Sequence, residues 1–246
     1  MRVDVLVPSV EREQALAVLL QRFPGGFEDR GDAFAVYDAA ADELPRGIGS
    51  WTSSEIADDW GERWREFHHG RAIGERFWIG PPWRRVPSER TAIVIDPGQA
   101  FGTGSHATTA LCAELLLEIS ERGPVLDLGC GSGVLAICAA LLGHAPVLAC
   151  DSDPLAIAAT RENAARNHVE IEVWEADALY DDLPKSVPLW LANLELRPLE
   201  ELAWRPDLPP RLIVSGLLEH ERFAIGGYAT LERRTLDGWQ ALLLGR

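Results

Sequence analysis

The chain has no run approaching the roughly 18 apolar residues that a membrane span needs. Its opening, M-R-V-D-V-L-V-P, has neither the long apolar core nor the small-residue cleavage site of a secretory leader. Both absences lead to the expectation of a cytoplasmic protein away from membranes. Cysteine is scarce. Cys112, Cys130, Cys138 and Cys150 form no C-x-x-C pair and lie in or beside apolar segments, which argues for reduced thiols over disulfides and assigns no metal. Positive charge is also in short supply: 23 Lys and Arg stand against 38 Asp and Glu, a net charge of −15. That balance disfavours nonspecific binding to nucleic acid and favours encounter with a basic partner. Core-forming residues are not lacking, and 47% hydrophobic content over 246 residues suffices for one large α/β domain and a small one.

One further absence decides the ligand class. Val125–Gly133 reads V-L-D-L-G-C-G-S-G, a short apolar run suited to a buried parallel strand followed by a turn in which glycines let the backbone approach a ligand. A dinucleotide fingerprint needs G-x-G-x-x-G, but here Gly133 arrives one residue early and Val134 takes the expected place. The spacing G-x-G-x-G after Asp127 resembles the first motif of class I S-adenosylmethionine-dependent methyltransferases. That ligand has no phosphate, so no pyrophosphate site is required. A helix over Val134–Leu142, stopping at Gly143, and a second apolar run, Ala145–Cys150, bring Asp151 to the carboxyl end of the next strand. An acid at this distance from the glycines is placed to accept hydrogen bonds from ribose hydroxyls.

The first segment reads as a small α/β module. Val3–Val7 alternates like a strand and Glu11–Phe23 has helical periodicity. Phe27–Glu28 and Phe34–Tyr37 suit a hairpin, and Gly49–Glu55 suits a further strand. The sum is a ferredoxin-like unit, short in its second half, serving either substrate recognition or stabilisation. Trp60, Trp64 and Phe67 then form a packing stripe on a helix that begins at Asp58-Asp59, and Phe77–Ile79 gives a short strand ended by Gly80–Trp83. His68 and His69 have no metal-like partners and read as ordinary polar residues. The expected division is a small domain over 1–56, a linker helix and connector strand over 57–90, and a ligand-binding domain over 91–246.

In that last region strands and helices alternate. Ala92–Ile95 suits a strand, Asp96–Thr109 a loop, and Ala110–Ser120 a helix that Thr108 and Thr109 can cap. After Asp151, Asp153-Pro154 opens a helix running through Asn167. Strands follow at Ile171–Trp174, Leu189–Ala192 (ending at Asn193) and Leu212–Ser215, with a short helix at Arg197–Trp204. Ala229–Thr235 and Trp239–Leu244 form a hairpin about Asp237-Gly238. The pattern implies a Rossmann-like, mostly parallel sheet with helices on both faces, closed by an antiparallel hairpin. Ligands bind such sheets at the carboxyl ends of the strands, where Gly129, Asp151, Asp177 and Asn193 all fall.

The loop D-P-G-Q-A-F-G-T-G-S-H-A-T-T at Asp96–Thr109, the glycine turn, D-S-D-P at Asp151–Pro154 and A-N-L at Ala192–Leu194 together resemble the bacterial ribosomal protein methyltransferases of the PrmA type. These enzymes modify the stalk-base protein uL-eleven. The resemblance extends to G-G-F-E at Gly25–Glu28, D-W-x-x-x-W at Asp59–Trp64 and F-W-I-G-P-P-W at Phe77–Trp83, nearly the whole chain. It implies a monomeric protein-lysine N-methyltransferase, with the amino terminus as a further acceptor, that uses S-adenosylmethionine, releases S-adenosylhomocysteine, acts on a basic large-subunit ribosomal protein and does not itself bind nucleic acid. By position, Thr109, Asp127, Gly129, Gly131, Gly133, Asp151 and Asn193 are implied to hold the cofactor, and Phe101, Gly102 and Thr103 to lie beside the methyl-donating centre. Asp177 is placed either near the adenine or as a solvated loop acid.

Methyl transfer from a sulfonium is an in-line displacement, so the enzyme must hold a neutral amine near the methyl carbon, at about 3–3.5 Å. Desolvation lowers a lysine pKa and favours the neutral amine; Phe101 and the glycine loop are expected to form that slot, with the Asn193 amide orienting ligand or amine. Two departures stand out. The family often has N-I-L-A where this chain has Asn193-Leu194-Glu195-Leu196, placing a carboxylate near the substrate entrance, and the stretch between Leu218 and Tyr228 is short for a full helix. Two other functions stay open: a methyltransferase for another protein or a small-molecule amine, and a non-catalytic S-adenosylmethionine-binding protein. Nucleic-acid amino methylation is disfavoured, because the N-P-P-aromatic motif is absent at Asn193.

Overall fold

The structure is a computed structural model that describes residues 2–6, 28–29, 33–37, 50–54, 70–87, 89–96 and 104–246. The chain divides into two compact units, Met1–Glu66 and Phe67–Arg246.

In the first unit, β1 (Arg2–Leu6), β2 (Glu28–Asp29), β3 (Ala33–Tyr37) and β4 (Ser50–Ser54) form one sheet in the order β2-β3-β1-β4. Every pair is antiparallel, with Val3 opposite Val36 and opposite Ser53. The order puts β3 between β1 and β2, as a ferredoxin-like unit requires. The helix expected over Glu11–Phe23, the helix beginning at Asp58, and His68 and His69 lie outside the described residues.

The second unit opens with a three-stranded sheet of β5 (Arg71–Ile73), β6 (Phe77–Gly80) and β7 (Thr91–Val94) in that order. The strand near Ala92 does not join the large sheet; it pairs in parallel with β6, Ile93 opposite Ile79. The connector strand at Phe77 likewise packs with the second unit, because Ile73, Phe77, Ile79 and Ile93 are buried in one cluster with the apolar face of α1 (Ala107–Glu118).

The large sheet contains β8 (Val125–Leu128), β9 (Val147–Asp151), β10 (Glu172–Glu175), β11 (Leu189–Asn193), β12 (Arg211–Leu218), β13 (Ala229–Leu236) and β14 (Trp239–Gly245). Their order is β10-β9-β8-β11-β12-β14-β13. The first five are parallel and β14 is antiparallel to both β12 and β13. Helices α2 (Val134–Leu141), α3 (Pro154–Arg166) and α4 (Leu196–Leu202) make the crossovers, and no helix forms between Leu218 and Ala229.

The period-two pattern explains why these strands are apolar throughout. Val125 packs in the cluster that includes α1 and α2, whereas Leu126 and Leu128 face the opposite cluster with Trp190, Leu199 and Leu202; both faces are covered. Asp127 is the exception, buried on the face that carries α2. The chain runs from β8 outward to β9 and β10, then returns to β11 on the other side. The sheet therefore has its switch point between β8 and β11, the place where open α/β sheets leave a crevice.

Candidate active site

At that crevice the carboxyl ends of β8, β9, β10 and β11 and the first turn of α1 surround a cleft of about 330 Å³, a size suited to a small molecule. Thr109, Gly129, Gly131, Asp151, Asp177 and Asn193 line it, with Asp127 on its floor and Val134, Leu135, Leu179, Leu194 and Pro198 as apolar walls. Sequence-predicted residues scattered over 84 positions thus converge on one site. Gly133 sits just behind the cleft, and Phe101, Gly102 and Thr103 lie outside the described residues.

Asp151 ties the site together. Its Oδ2 accepts from Gly131 N at 2.9 Å and its Oδ1 from Asp153 N at 3.0 Å. Each oxygen keeps a further lone pair for a ribose hydroxyl. The glycine turn directs its other amides inward as well: Gly129 N and Cys130 N donate to Cys150 O at 2.9 and 3.0 Å, and Gly133 N to Cys130 O at 2.7 Å. A phosphate-cradling turn instead aims such amides at the ligand. No Lys, Arg or His lines the cleft among the described residues. A neutral or cationic nucleoside fits these walls, and S-adenosylmethionine, with its sulfonium and amine, has that chemistry.

Asp127, besides lining the cleft, anchors the start of a helix. Gly133 stands at the α2 N-cap with no side chain to accept a hydrogen bond. Asp127 reaches across from β8, and its Oδ2 accepts from Ala136 N at 3.0 Å, serving the helix start as a remote cap. Asp127 is 2% exposed, and that burial pushes its carboxyl up to about 7, against the lowering effect of the Ala136 bond and with a further rise from Asp151. Burial also raises the thiol of Cys130 above its ordinary range, so it lines the cleft as a small apolar group. All four cysteines are free and buried.

Thr109 does not cap its helix. α1 begins earlier than expected, at Ala107, and the cap is His106, whose ring Nδ1 accepts from Thr108 N. Thr109 is instead buried in the first turn, where its Oγ1 meets Asn193 Nδ2 at 3.5 Å. Asp177 hydrogen-bonds within its own loop, Oδ1 accepting from Leu179 N at 2.8 Å.

Sequence reasoning missed the supports behind these groups. Thr160 and Asn163 on α3 and Asn167 at its C-cap share one face at helical spacing. Thr160 Oγ1 donates to Gly131 O at 3.0 Å, Asn163 Nδ2 to Ser132 O at 3.0 Å, and Asn163 Oδ1 accepts from Asp96 N at 3.1 Å. Asn167 clasps both polar groups of Val94, at 2.8 and 2.7 Å. One helix face thus joins the glycine turn to Val94 and Asp96. Gly216 is the second omission. It is the bulge residue of β12, at φ +91°, and a Cβ there would stand 2.1 Å from Leu194 O. Only glycine lets the turn after Asn193 lie that close, with Leu194 N donating to Ser215 O.

Comparison with known proteins agrees with this geometry. The profile of the family described as ribosomal protein L11 methyltransferase (PrmA) matches residues 17–236. A ribosomal protein L11 methyltransferase of Aliivibrio salmonicida is 40% identical over 231 residues, covering 84% of this chain and 76% of that protein. One of Methylococcus capsulatus is 40% identical over 214 residues, covering 83% and 72%. In other relatives of the same name the match spans as little as half of their length. Among solved structures, a ribosomal protein L11 methylase from Lactobacillus delbrueckii subsp. bulgaricus superposes with a TM-score of 0.63 at 27% identity, covering 72% of this chain and 98% of that one. A seven-stranded sheet with its cleft at the switch point, an inward-facing glycine turn and a match over most of the chain lead to one assignment: the chain belongs to the ribosomal protein L11 methyltransferase (PrmA) family, whose methyl donor is S-adenosylmethionine.

Proposed function

We propose that this protein methylates lysine amines of ribosomal protein L11. The observation that carries the reading is the family match over residues 17–236 together with the cleft that Asp151, Asp177, Asn193 and Thr109 line at the switch point. When bound, S-adenosylmethionine supplies a methyl group on a positively charged sulfur, which an amine displaces in line.

The chain's own residues have three tasks. Asp151 offers its free lone pairs to the ribose hydroxyls while its backbone partners hold it still. Leu179, Leu194 and Pro198 give the planar base an apolar wall and exclude water. Asn193, on the last residue of β11, presents an amide to ligand or amine, held against Thr109 across the cleft. No general acid is needed, because the leaving group is a neutral thioether. The incoming lysine must shed its proton, and an apolar slot achieves this by desolvation; Phe101 is proposed as part of that slot. The small amino-terminal module is proposed to recognise the protein substrate.

The test is incubation of purified protein with labelled S-adenosylmethionine and a ribosomal protein fraction, followed by analysis of modified residues. Label is expected in L11 as methyl-lysine, and absence of label from every protein would overturn the reading. A Phe101→Ala variant with full turnover and unchanged substrate affinity would remove Phe101 from the slot.

A further inference from the structure

The two most exposed aromatic side chains among the described residues are Trp204 at 89% and Tyr180 at 75%. They belong to one patch. Tyr180 Oη donates to Glu201 Oε2 at 2.6 Å, and Trp204 follows Glu201 by one helical turn, its N donating to Glu201 O at 3.1 Å, so the two aromatics stand on adjoining elements, one of them hydrogen-bonded to a carboxylate. The patch is continuous with the cleft, because Leu179 precedes Tyr180 and Pro198 lies one turn before Glu201, and both line the cleft wall.

The patch is also preformed. Arg205 is largely buried: its Nη1 donates to Ala178 O at 3.2 Å, and its fork binds Asp207 at 2.9 and 2.8 Å. That pins the end of α4 to the loop carrying Tyr180. Between positions 177 and 207 there are seven carboxylates against Lys185, Arg197 and Arg205. Asp207 neutralises Arg205, and Arg197 lies 3.5 Å from Glu201. Asp181, Asp182, Glu195 and Glu200 face solvent.

A single exposed aromatic needs no explanation. Two of them exposed on adjoining elements, one hydrogen-bonded to a carboxylate, on an acidic rim, form a surface suited to guanidinium and ammonium groups, which gain from ring faces and carboxylates together. We propose that this rim docks a lysine- and arginine-rich segment of the protein substrate, separate from the lysine that is methylated. The proposal rests on the protein-methylation reading and adds to it a second point of contact, built by the catalytic unit itself. Charge selects this occupant over the alternatives. A second copy of a chain with net charge −15 would bring like charge, and a nucleic acid would set phosphates against the rim carboxylates.

Fluorescently labelled ribosomal protein L11 should be titrated with full-length wild type, Trp204→Ala, Trp204→Phe and Glu200→Gln, each with S-adenosylhomocysteine present, and methyl transfer measured in parallel. Trp204→Ala is expected to weaken L11 binding about tenfold, to raise KM for L11 alike, and to leave kcat and the KM for S-adenosylmethionine unchanged. Trp204→Phe, which keeps a ring face, should recover most of the loss. Glu200→Gln should weaken binding more at low than at high salt. Equal L11 binding by wild type and Trp204→Ala, or no binding by wild type, would overturn the proposal. So would a shift of Trp204→Ala from dimer to monomer, or an equal dependence of single-stranded RNA binding on Trp204. Trp204-dependent binding of L11 without methylation would overturn the proposed activity and leave the docking surface standing.

Discussion

Replacing Asp127 by Asn tests how the glycine turn is anchored. The wild-type carboxyl titrates near 7 in the folded protein because it is buried, against an ordinary 3.8. Below pH about 4 it is protonated in both the folded and unfolded chain and burying it costs little. As pH rises the unfolded chain ionises first, while the folded chain holds its proton until about pH 7. Stability is therefore lost across that window, by at most about 1.4 kcal/mol per pH unit and about 4 kcal/mol in all, and the loss levels off above pH 7. Asn cannot ionise, yet its Oδ1 can still accept from Ala136 N; its amide N–H groups enter a buried position built around an acceptor and cost about 1–3 kcal/mol at every pH. The expected result is a pH-dependent difference. Relative to wild type, Asp127→Asn should gain about 3 kcal/mol of stability between pH 5 and pH 8 and be the more stable protein at pH 8. Urea unfolding followed by circular dichroism at pH 5, 6, 7 and 8 reads this directly. A mutant-to-wild-type difference constant within about 0.5 kcal/mol across that range would refute the burial of an ionisable carboxyl as its cause.

Three other substitutions probe the same frame. Asp151→Ala removes the acceptor for Gly131 N and Asp153 N and should weaken S-adenosylhomocysteine binding about 10–100-fold by calorimetry; a change under threefold would contradict its place at the ribose. Gly133→Ala puts a Cβ at φ +79° and 2.7 Å from Thr160 Cγ2, so it should cost about 2–4 kcal/mol and lower Tm by about 5–15 °C, measurable by scanning calorimetry. Asn163→Ala removes the donor to Ser132 O and the acceptor for Asp96 N and should cost about 2 kcal/mol of stability in urea; Asn163→Asp, which keeps an acceptor of the same reach for Asp96 N, should recover part of that loss, and Asn163→Gln should not.

The ligand end of the sheet was legible because its signals are local. Strand, glycine turn and helix follow one another within Val125–Leu142, and Asp153 caps α3 with Pro154 in its first turn, as the dipeptide indicates. The final hairpin formed about Asp237-Gly238 for the same reason. What escaped was set by contacts across long sequence distances. Thr160, Asn163 and Asn167 look like ordinary surface residues of a polar helix, but their partners lie 29 to 73 positions away. Nothing near Gly216 says that the backbone of Leu194 will lie against it. The start of α1 was misplaced because Thr108 and Thr109 are good caps locally, yet burial against Asn193 recruits Thr109 into the helix and leaves the cap to His106. The pairing of the Thr91 strand was not legible, since an edge pairing with Phe77–Gly80 leaves no mark in a four-residue pattern.

The inward-facing amides of the glycine turn have a consequence for selectivity inside a living cell. ATP, NAD and their relatives share the adenosine half of S-adenosylmethionine and are far more abundant than it. Each would have to thread a string of negative oxygens past Asp151 and Asp177 toward a turn whose N–H groups are already committed to Cys150, Cys130 and Asp151. The committed backbone and the two carboxylates together disfavour phosphorylated adenosine carriers at this cleft.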